Sequence, residues 1–475
     1  MSLVKLVDPV PAADLGRVHL IGIGGAGMSG IARILLKRGV AVSGSDARVS
    51  DMLDELRGLG ADIHVGHAAS HVKDVDTVVV STAIRDSNPE LGEALRRNLR
   101  IIPRAAALAA VMTGRTGIAV AGTHGKTTTS SMLTVALQKC GEDPSYCVGG
   151  RLVTTGLGAD DGTGEVFVAE ADESDGSFLM LTPDVAIVTN VEADHLDNYG
   201  DPQAVHESFA RFAERVGSIL VVCADDPGAA ALAPLARARG LEVVTYGEAP
   251  AADIRTVDIV PRGLEVEFHV AGHGGVRLAV PGRHNAVNAT AVIAVALRLG
   301  LPFDEVREGL AAFTGAKRRF EARGEAGGVS VYDSYAHHPT ELTADLRAAR
   351  DVVSGGGPLR GGPLHGGRVI AVFQPHLYSR TRFFAAEFGA ALGLADEVVV
   401  LDVYGAREDP EPGVSGALVA GKVPLPSERV VYAPERASVP ALVAARARPG
   451  DIVLTMGAGD VTDLGPRIVA ELSAK

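Results

Sequence analysis

Two glycine-rich segments have the composition of loops that bind phosphate through their backbone. Gly122–Thr129 reads Gly-Thr-His-Gly-Lys-Thr-Thr-Thr and lies between an apolar segment and a helical one. Val120 stands where the strict P-loop has its first glycine, but the glycines, Lys126 and Thr127 remain. Lys126 can reach the β- and γ-phosphates of a nucleotide, and Thr127 can offer a hydroxyl to Mg²⁺. The alternative is a glycine turn with a surface lysine.

The second segment, Gly22–Gly27, fits the pattern G-x-G-x-x-G between a predicted strand and a predicted helix. Asp46 follows about 20 residues later, at the end of the next strand. Such glycines let backbone N–H groups approach a diphosphate at a helix N-terminus. The pattern therefore indicates a nucleotide diphosphate, of which NAD is one case. A tight turn without a ligand is the alternative.

Carboxylates and a histidine follow two predicted strands of the second region. Glu170, Asp172 and Glu173 come after one strand, and Asp194-His195 comes after another. Like charges this close repel each other, and a bound Mg²⁺ would relieve the repulsion. Ligands gather at the carboxyl ends of parallel strands, so these side chains are candidate metal ligands. A solvated acidic turn and a structural histidine are the alternatives.

Strands and helices alternate along the chain in the order that builds parallel sheets. The predicted strands are Val18–Ile23, Val40–Gly44, Thr77–Ser81, Gly117–Ala121, Glu165–Ala169, Val185–Thr189, Ser218–Cys223, Val329–Asp333, Val369–Phe373, Glu397–Asp402 and Asp451–Thr455. The predicted helices are Met28–Arg38, Thr127–Lys139 and His284–Leu299. We expect an α/β protein of three domains: an N-terminal Rossmann-like parallel sheet (1–110), a central P-loop-type ATPase domain (111–318) and a C-terminal Rossmann-like α/β domain (319–475). Gly and Pro dominate Gly355–Gly367, which predicts a flexible surface loop.

Composition excludes several classes of protein. The formal net charge is -13, which disfavours non-specific binding of nucleic acid and requires that anions be held by local groups. The 3 cysteines give no disulfide framework, which favours a reducing compartment. No segment has the length and apolar character of a membrane span or a signal peptide. We therefore expect a cytoplasmic protein without membrane insertion.

Taken together and in this order, the motifs resemble those of the Mur ligase family over nearly the whole chain. The resemblance rests on Gly22–Met28, Gly122–Thr129, Glu170–Phe178, Asp194-His195, Pro281–Asn288, Arg318–Glu321, Asp333–Glu341, Phe373–Thr381, Asp402–Glu408 and Gly457–Asp460. It implies a UDP-substrate domain, a central ATPase domain and a C-terminal amino-acid domain. The expected reaction uses ATP and Mg²⁺ to join L-alanine to UDP-N-acetylmuramate through an acyl phosphate, in peptidoglycan precursor synthesis.

The resemblance also assigns roles to residues. For the UDP-sugar it implies Gly24, Gly25, Ala26, Gly27, Met28, Asp46, Ser81 and Thr82. For ATP it implies Gly122, Thr123, His124, Gly125, Lys126, Thr127, Thr128, His284, Asn285, Asn288 and Asp333. Around Mg²⁺ it implies Thr127, Glu170 and His195. For the amino acid and the reacting carboxylate it implies Tyr335, His337, His376 and Arg380. The expected catalytic residues are Lys126, Glu170, His195, Arg319 and Arg380.

Two positions depart from the family pattern. Many members have two adjacent acids before Tyr-x-His-His-Pro, whereas Ser334 follows Asp333 here. Several relatives carry a modified lysine after the Asp-His pair, but Val205–Arg215 contains no lysine, so we expect no carbamoylated lysine.

Three other functions remain open on the sequence. One is a ligase of the same family that attaches a whole tripeptide to the same sugar. Another is an NAD-dependent oxidoreductase, which leaves Gly122–Thr129 unexplained. The third is a non-catalytic nucleotide-binding regulator, which the acids beside Lys126 disfavour. We expect a monomer or a homodimer.

Overall fold

In the computed structural model, the N-terminal part of the chain is a five-stranded parallel sheet with four helices. Residues 7, 10–354, 358–359, 362–363, 366–406 and 408–475 are described. The strands are β1 (Val18–Ile21), β2 (Val42–Asp46), β3 (Asp62–Val65), β4 (Thr77–Val80) and β5 (Arg100–Pro103), and the helices are α1 (Ala26–Lys37), α2 (Asp51–Gly58), α3 (Pro89–Arg96) and α4 (Arg104–Met112). The strand order is β3-β2-β1-β4-β5, and every neighbouring pair is parallel.

This sheet matches the predicted Rossmann-like arrangement in type but not in every boundary. The second strand lies two residues later than predicted, and β3 and β5 lie outside the predicted strands. Both are four-residue edge strands with partly exposed residues, so their apolar signal is weak.

The central region is built on a second parallel sheet. Its strands are β6 (Thr116–Ala121), β7 (Ser145–Cys147), β8 (Ala159–Asp160), β9 (Val166–Glu170), β10 (Val185–Val188), β11 (Ile219–Cys223) and β12 (Glu242–Gly247), and its helices are α5 (Lys126–Lys139), α6 (Leu196–Tyr199), α7 (Pro202–Ala213), α8 (Pro227–Ala230) and α9 (Leu232–Ala238). The order is β12-β11-β10-β6-β9-β7-β8, with only β8 antiparallel to its neighbour among these seven. The central pair, β6 and β10, is fully apolar and buried except at Thr116, as expected for strands covered on both faces.

Packing joins these two sheets into one unit, which comprises the chain up to Arg255 together with Asn288–Leu310. Ion pairs connect the N-terminal helices to the central region. Arg38 Nη2 lies 2.7 Å from Asp161 Oδ1, and Lys37 Nζ lies 2.5 Å from Asp160 Oδ1. Both glycine loops therefore belong to a single packed unit.

The second unit comprises Thr256–Val287 and Ala311–Lys475. Between the central sheet and the C-terminal sheet the chain forms β13 (Ile254–Arg262), β14 (Glu265–Val270), β15 (Gly274–Leu278), α10 (Arg283–Arg298) and α11 (Phe303–Ala311). The strands β13, β14 and β15 form an antiparallel meander that the sequence analysis did not predict. Helix α10 begins and ends one residue before its predicted bounds.

The second unit contains a six-stranded sheet with apolar clusters on both faces. Its strands are β16 (Glu321–Ala326), β17 (Val329–Ser334), β20 (Val369–Phe373), β21 (Glu397–Val400), β22 (Val430–Tyr432) and β23 (Ile452–Met456), and the intervening strands β18 (Pro358–Leu359) and β19 (Gly362–Pro363) pair with each other. The helices are α12 (Pro339–Ser354), α13 (Tyr378–Phe383), α14 (Ala385–Leu392), α15 (Gly416–Ala420), α16 (Val439–Arg446) and α17 (Leu464–Ser473). The order is β16-β17-β23-β20-β21-β22, and only the β16–β17 pair of this sheet is antiparallel.

The three sheets, parallel apart from β8, β16 and the meander of β13, β14 and β15, confirm the predicted α/β fold class. The predicted surface loop Gly355–Gly367 falls largely outside the described residues, apart from β18, β19 and its last two residues. Among the described residues, no helix is both long and apolar enough to cross a membrane.

Candidate active site

The turn between β6 and α5 can be made only with glycine. Gly122 has φ 133° and Gly125 has φ 80°. A Cβ at Gly122 would lie 2.0 Å from Thr189 Oγ1, and one at Gly125 would lie 3.1 Å from Asn288 Oδ1. The backbone N–H groups at the start of α5 then suit an anion, with Asn288 beside them. The loop residues assigned to ATP lie in this turn or in the first turn of α5: Thr123, His124, Lys126, Thr127 and Thr128.

Oxygen atoms hold the Lys126 side chain in place at the carboxyl edge of the central sheet. Its Nζ lies 2.8 Å from Glu173 Oε2 and donates to the carbonyl oxygens of Gly122 at 2.7 Å and Thr123 at 3.1 Å. Burial lowers the pKa of the ammonium, but the carboxylates of Glu173 and Glu170 outweigh that effect, so its pKa is raised. Lys126 is therefore a fixed positive charge. Glu173, whose pKa is raised by burial and lowered by Lys126, has a net raised pKa.

Glu170 stands at the end of β9, facing the phosphate loop. Its Oε1 accepts from Thr127 Oγ1 at 3.1 Å, and its Oε2 accepts from the Gly149 N–H at 2.7 Å. Asp172 pairs with Arg104 at 3.0 Å. Burial raises the pKa of Asp172, but Arg104 and Lys126 lower it to about 2, so this carboxylate is ionised at neutral pH.

His195 reaches the same edge from the end of β10. Its backbone is left-handed, with φ 54°. Its Nε2 lies 3.5 Å from Asp194 Oδ2 and 3.8 Å from Glu173 Oε1. Thr127 and Glu170 therefore offer adjacent oxygen atoms. His195 contacts Glu173, which in turn pairs with Lys126 of the phosphate loop. Oxygen donors are what Mg²⁺ prefers, so Thr127 and Glu170 fit a magnesium site in their chemistry, whereas His195 would offer a ring nitrogen.

The first glycine loop has the geometry of a diphosphate-binding turn. The Gly22 N–H donates to Ser45 O at 2.8 Å, and the Gly24 N–H donates to Asp46 Oδ2 at 3.0 Å. Gly25 precedes α1 without a side-chain cap, which leaves the first N–H groups of the helix available. The other residues assigned to the UDP-sugar lie in the first turn of α1 or directly after β4: Ala26, Gly27, Met28, Ser81 and Thr82.

Arg104 lies between the first glycine loop and the acidic segment after β9. The sequence did not predict this residue as part of the site. A Cβ on Gly27 would lie 3.0 Å from Arg104 Nη1, and Arg104 Nη2 donates to Asp172 Oδ2 at 3.0 Å. The residue is the first of α4, and an isolated arginine there carries no sequence motif. Glu173 was singled out as a candidate metal ligand, but its ion pair with Lys126 was not predicted.

In the second unit, Asp333 is bound within its own sheet. Its carboxylate accepts from Arg318 Nε at 3.0 Å, Thr455 Oγ1 at 2.7 Å and Thr462 Oγ1 at 2.8 Å. Arg318 also donates to the Gly457 carbonyl oxygen at 2.6 Å. Arg318 thus fixes the end of β17, a role that the sequence analysis did not assign.

Aromatic and basic side chains form a row after β17 and β20. Tyr335 and His337 have ring centroids 5.3 Å apart, and His337 and His376 have theirs 5.9 Å apart. The Arg319 guanidinium carbon lies 5.4 Å from the Tyr335 ring centroid. Arg380 Nη1 lies 3.4 Å from His376 Nδ1, so that nitrogen is the acceptor. Four of the residues assigned to the substrate therefore lie in one row, with Arg319 at its end.

His284 and Asn285 open helix α10 in this unit. Burial, with a smaller effect of Arg319, lowers the pKa of His284 to about 4, so its ring is neutral. Asn285 Nδ2 donates to the Pro281 carbonyl oxygen at 2.7 Å.

Ser334 is paired with an acid from the next helix. Its Oγ donates to Asp345 on α12 and accepts from the Ala336 N–H at 3.0 Å. Burial raises the pKa of Asp345 to about 6, although the Ser334 hydrogen bond lowers it. A carboxyl group is therefore present beside Ser334, where the family pattern has a second acid in the strand.

Parallel sheets whose carboxyl edges carry phosphate loops, a buried lysine and carboxylates define an α/β nucleotide-binding protein. Three family models match most of the chain: "Mur ligase family, catalytic domain" at 17–116, "Mur ligase middle domain" at 120–296 and "Mur ligase, glutamate ligase domain" at 318–459. The chain belongs to the Mur ligase family.

Relatives in this family are similar over their whole length. A UDP-N-acetylmuramate–L-alanine ligase of Thermobifida fusca is 61% identical, covering 99% of this chain and 100% of that protein. One of Nocardioides sp. is 56% identical, covering 98% of each. The solved UDP-N-acetylmuramate–alanine ligase of Thermotoga maritima is 28% identical with a TM-score of 0.79, covering 96% of this chain and 99% of that one.

Proposed function

We propose that this protein is an ATP-dependent ligase that joins L-alanine to the carboxylate of UDP-N-acetylmuramate, in peptidoglycan precursor synthesis. The observation that carries the proposal is the largely buried Lys126 at a phosphate loop flanked by carboxylates, in a chain 61% identical over 99% of its length to a ligase of that name. The phosphate loop Gly122–Thr129 also argues against an NAD-dependent oxidoreductase, because binding NAD at the first glycine loop would leave this second loop without a function.

The reaction needs two steps because a carboxylate oxygen is a poor leaving group. A carboxylate oxygen of the sugar acid attacks the γ-phosphorus of ATP, the bond to the β-phosphate oxygen breaks, and ADP leaves. The neutral amine of alanine then attacks the carbonyl carbon of the acyl phosphate. Inorganic phosphate leaves, and the nitrogen loses a proton. Both steps place charge on phosphate oxygens, so positioning and charge neutralisation are the main tasks of the protein.

Lys126 and the start of α5 would bind the phosphates of ATP. Lys126 is already surrounded by acceptors, which keeps it charged and in place. Phosphate oxygens would replace Glu173 as the acceptors of the Lys126 ammonium. The backbone N–H groups of Gly125–Thr128 would donate to the remaining phosphate oxygens. Preorganised donors of this kind contribute about 3 kcal/mol each to lowering a barrier.

We propose that Thr127, Glu170 and His195 surround Mg²⁺. The ion would neutralise charge on the β- and γ-phosphates when bound. The chain's own part is to hold the Thr127 hydroxyl and the Glu170 carboxylate 3.1 Å apart, between the phosphate loop and the next strand end. Gly149 supports this by donating its N–H to Glu170.

The first glycine loop would bind the diphosphate of the UDP-sugar. The first N–H groups of α1, at Ala26–Met28, suit phosphate oxygens. Asp46 at the end of β2, with Ser81 and Thr82 directly after β4, supplies side-chain oxygen atoms at the same edge of the sheet. Arg104 would neutralise charge between this loop and Asp172.

The row formed by Tyr335, His337, His376 and Arg380 would bind alanine and the reacting carboxylate. The guanidinium of Arg380 suits a carboxylate because it can donate two parallel hydrogen bonds. Arg319, Asp333 and the neutral His284 with Asn285 and Asn288 would contact the nucleotide. The nucleotide role of Asp333 would require that it exchange one of its present donors.

We also propose that the enzyme is cytoplasmic. ATP and a UDP-linked precursor are cytoplasmic metabolites, and the 3 cysteines are free. The oligomeric state, a monomer or a homodimer, remains a prediction.

The proposal is tested by ADP release from Mg²⁺-ATP and UDP-N-acetylmuramate, comparing L-alanine with the tripeptide L-Ala–D-Glu–diamino acid. We expect turnover with alanine alone. Turnover only with the tripeptide would assign the chain to the recycling ligase, and turnover with neither would overturn the ligase assignment.

A further inference from the structure

A buried histidine–glutamate network lies behind the carboxyl edge of the N-terminal sheet, outside the residues assigned above. Its centre is Glu90 on α3, whose side chain is 0% exposed. The Glu90 carboxylate accepts from His71 Nδ1 at 2.6 Å, Ser45 Oγ at 2.5 Å, His67 Nδ1 at 3.2 Å and the Ala68 N–H at 3.3 Å. A fully buried carboxylate with so many donors is costly to build, which indicates a task beyond packing.

The carboxylate of Glu90 is ionised at neutral pH. Burial raises its pKa, but the nearby His19 ring and the hydrogen bonds from Ser45 and His71 outweigh burial and hold the pKa at about 2. His19 Nε2 lies 3.6 Å from Glu90 Oε2, and its Nδ1 lies 2.9 Å from Ser43 Oγ. Four side chains, those of His19, Ser45, His67 and His71, thus place a polar atom near the Glu90 carboxylate.

This arrangement favours one tautomer in two histidine rings. Because Nδ1 of both His67 and His71 faces the Glu90 carboxylate, a proton on Nδ1 is the favoured arrangement in both rings. Nδ1 of His67 also lies 2.9 Å from Ser45 Oγ, which itself donates to Glu90 and so can accept that proton. Nε2 lies on the other side of each ring, away from Glu90. The side chains of His67 and His71 are 22% and 18% exposed, so these rings reach the surface that Glu90 does not. His64 stacks on His71 with ring centroids 4.0 Å apart, which limits rotation of that ring.

His67 stands next to the proposed UDP-sugar loop. The Gly22 N–H donates to Ser45 O, and the Gly66 N–H donates to Asp46 O at 2.7 Å, so the three strand ends are joined. In nucleotide-binding sheets of this kind the diphosphate lies on the first glycine turn and the ribose on the acid after the second strand. By this analogy the base would lie beyond Asp46, towards the end of β3, and His67 follows that strand by two residues.

We propose that Glu90 is a positioning residue for UDP-sugar binding, which holds the Nδ1–H of His67 inward so that its Nε2 lone pair accepts the N3–H of uracil. The inference rests on the proposed function, because it takes the first glycine loop as the UDP-sugar site. Uracil carries a hydrogen on N3, whereas cytosine presents a lone pair there, so this tautomer selects uracil. Glu90 itself touches no substrate.

The kinetic test compares Glu90→Gln with Glu93→Gln in the full-length protein. Glu93 lies one turn along the same helix and pairs with the exposed Arg96, which makes it a matched control. We expect Glu90→Gln to raise the KM for UDP-N-acetylmuramate about tenfold, the effect of about one hydrogen bond, with kcat nearly unchanged. Glu93→Gln should behave as wild type, and Glu90→Asp should recover part of the loss.

Two results would overturn the positioning role. One is a fall in kcat by the same factor as the rise in KM, and the other is an unchanged KM in a folded Glu90→Gln variant. Calorimetric binding of UDP-N-acetylmuramate separates this outcome from failure of the proposed function. If the wild type does not bind this ligand, both fall. If wild type and Glu90→Gln bind it equally, only the inference about Glu90 falls.

A second measurement needs no variant. Long-range ¹H–¹⁵N correlation spectra of ¹⁵N-histidine-labelled wild type distinguish Nδ1–H from Nε2–H rings. We expect His67 as the Nδ1–H tautomer, with its Nε2 resonance shifted by UDP-N-acetylmuramate. An Nε2–H tautomer, or an Nε2 resonance that the ligand leaves unchanged, would refute the proposal.

Discussion

Replacing Lys126 by methionine removes both the cation proposed to bind the phosphates and the ion-pair partner of Glu173. Lys126 and Glu173 form a buried ion pair at 2.8 Å, with Glu173 2% exposed. Methionine keeps much of the side-chain volume but leaves the Glu173 carboxylate without its cation. Breaking one side of a buried pair costs about 3–5 kcal/mol in the free energy of unfolding. Loss of one preorganised donor to the phosphates should raise the barrier by about 3 kcal/mol, or roughly 150-fold in kcat.

The double variant Lys126→Met, Glu173→Gln tells these two effects apart. With both charges removed, no unpaired charge remains buried, so stability should return to within about 1–2 kcal/mol of wild type. Turnover should remain low because the phosphates still lack their cation. Glu173→Gln alone serves as the matched control for the second change.

The assays are urea unfolding, ADP release and calorimetric binding of UDP-N-acetylmuramate. The affinity for the UDP-sugar should stay within about twofold of wild type, since distant sites behave independently. A double variant that regains both stability and turnover would refute the phosphate role of Lys126. Loss of UDP-sugar binding in a folded variant would show that the two nucleotide sites are not separate.

Three further predictions concern other parts of the molecule. Gly122→Ala should abolish ATP binding and destabilise the protein, because the new Cβ would lie 2.0 Å from Thr189 Oγ1; Gly141→Ala, with φ 82° and open space around it, should cost only about 1 kcal/mol in urea unfolding. Asp345 has a folded pKa of about 6 against an ordinary 3.8, so its ionisation costs stability as pH rises through that range. Asp345→Asn should therefore stabilise the protein above pH 6 and change little near about pH 4; equal effects at both pH values would contradict this. Arg380→Lys should raise the KM for L-alanine without changing UDP-sugar affinity, because lysine lacks the two-pronged guanidinium; an unchanged KM would remove Arg380 from the amino-acid site.

The long apolar strands and the phosphate loops could be predicted from the sequence because their signals are local. Strands such as β6 and β10 are continuous apolar segments, and Gly122–Thr129 carries its chemistry in consecutive residues. The edge strands β3 and β5 are short and mixed in character, so no local pattern marks them. The antiparallel meander of β13, β14 and β15 was also missed, since exposed polar residues interrupt its apolar ones.

Contacts between residues far apart in the chain could not be predicted. Arg104 reaches Asp172 across 68 residues, and Arg318 reaches the Gly457 carbonyl oxygen across 139. The Glu90 network gathers residues from several elements that no spacing rule connects. Ser334 broke the expected pattern, and only the structure shows that Asp345 brings a carboxyl group to it.

The most direct test of the proposed chemistry follows oxygen atoms through the reaction. UDP-N-acetylmuramate labelled with ¹⁸O in its carboxylate is incubated with the protein, Mg²⁺-ATP and L-alanine, and the released phosphate is analysed by ³¹P NMR. Attack of the carboxylate on the γ-phosphorus predicts one ¹⁸O in each phosphate formed. Phosphate without label would contradict the acyl-phosphate route and with it the role assigned to the Lys126 edge.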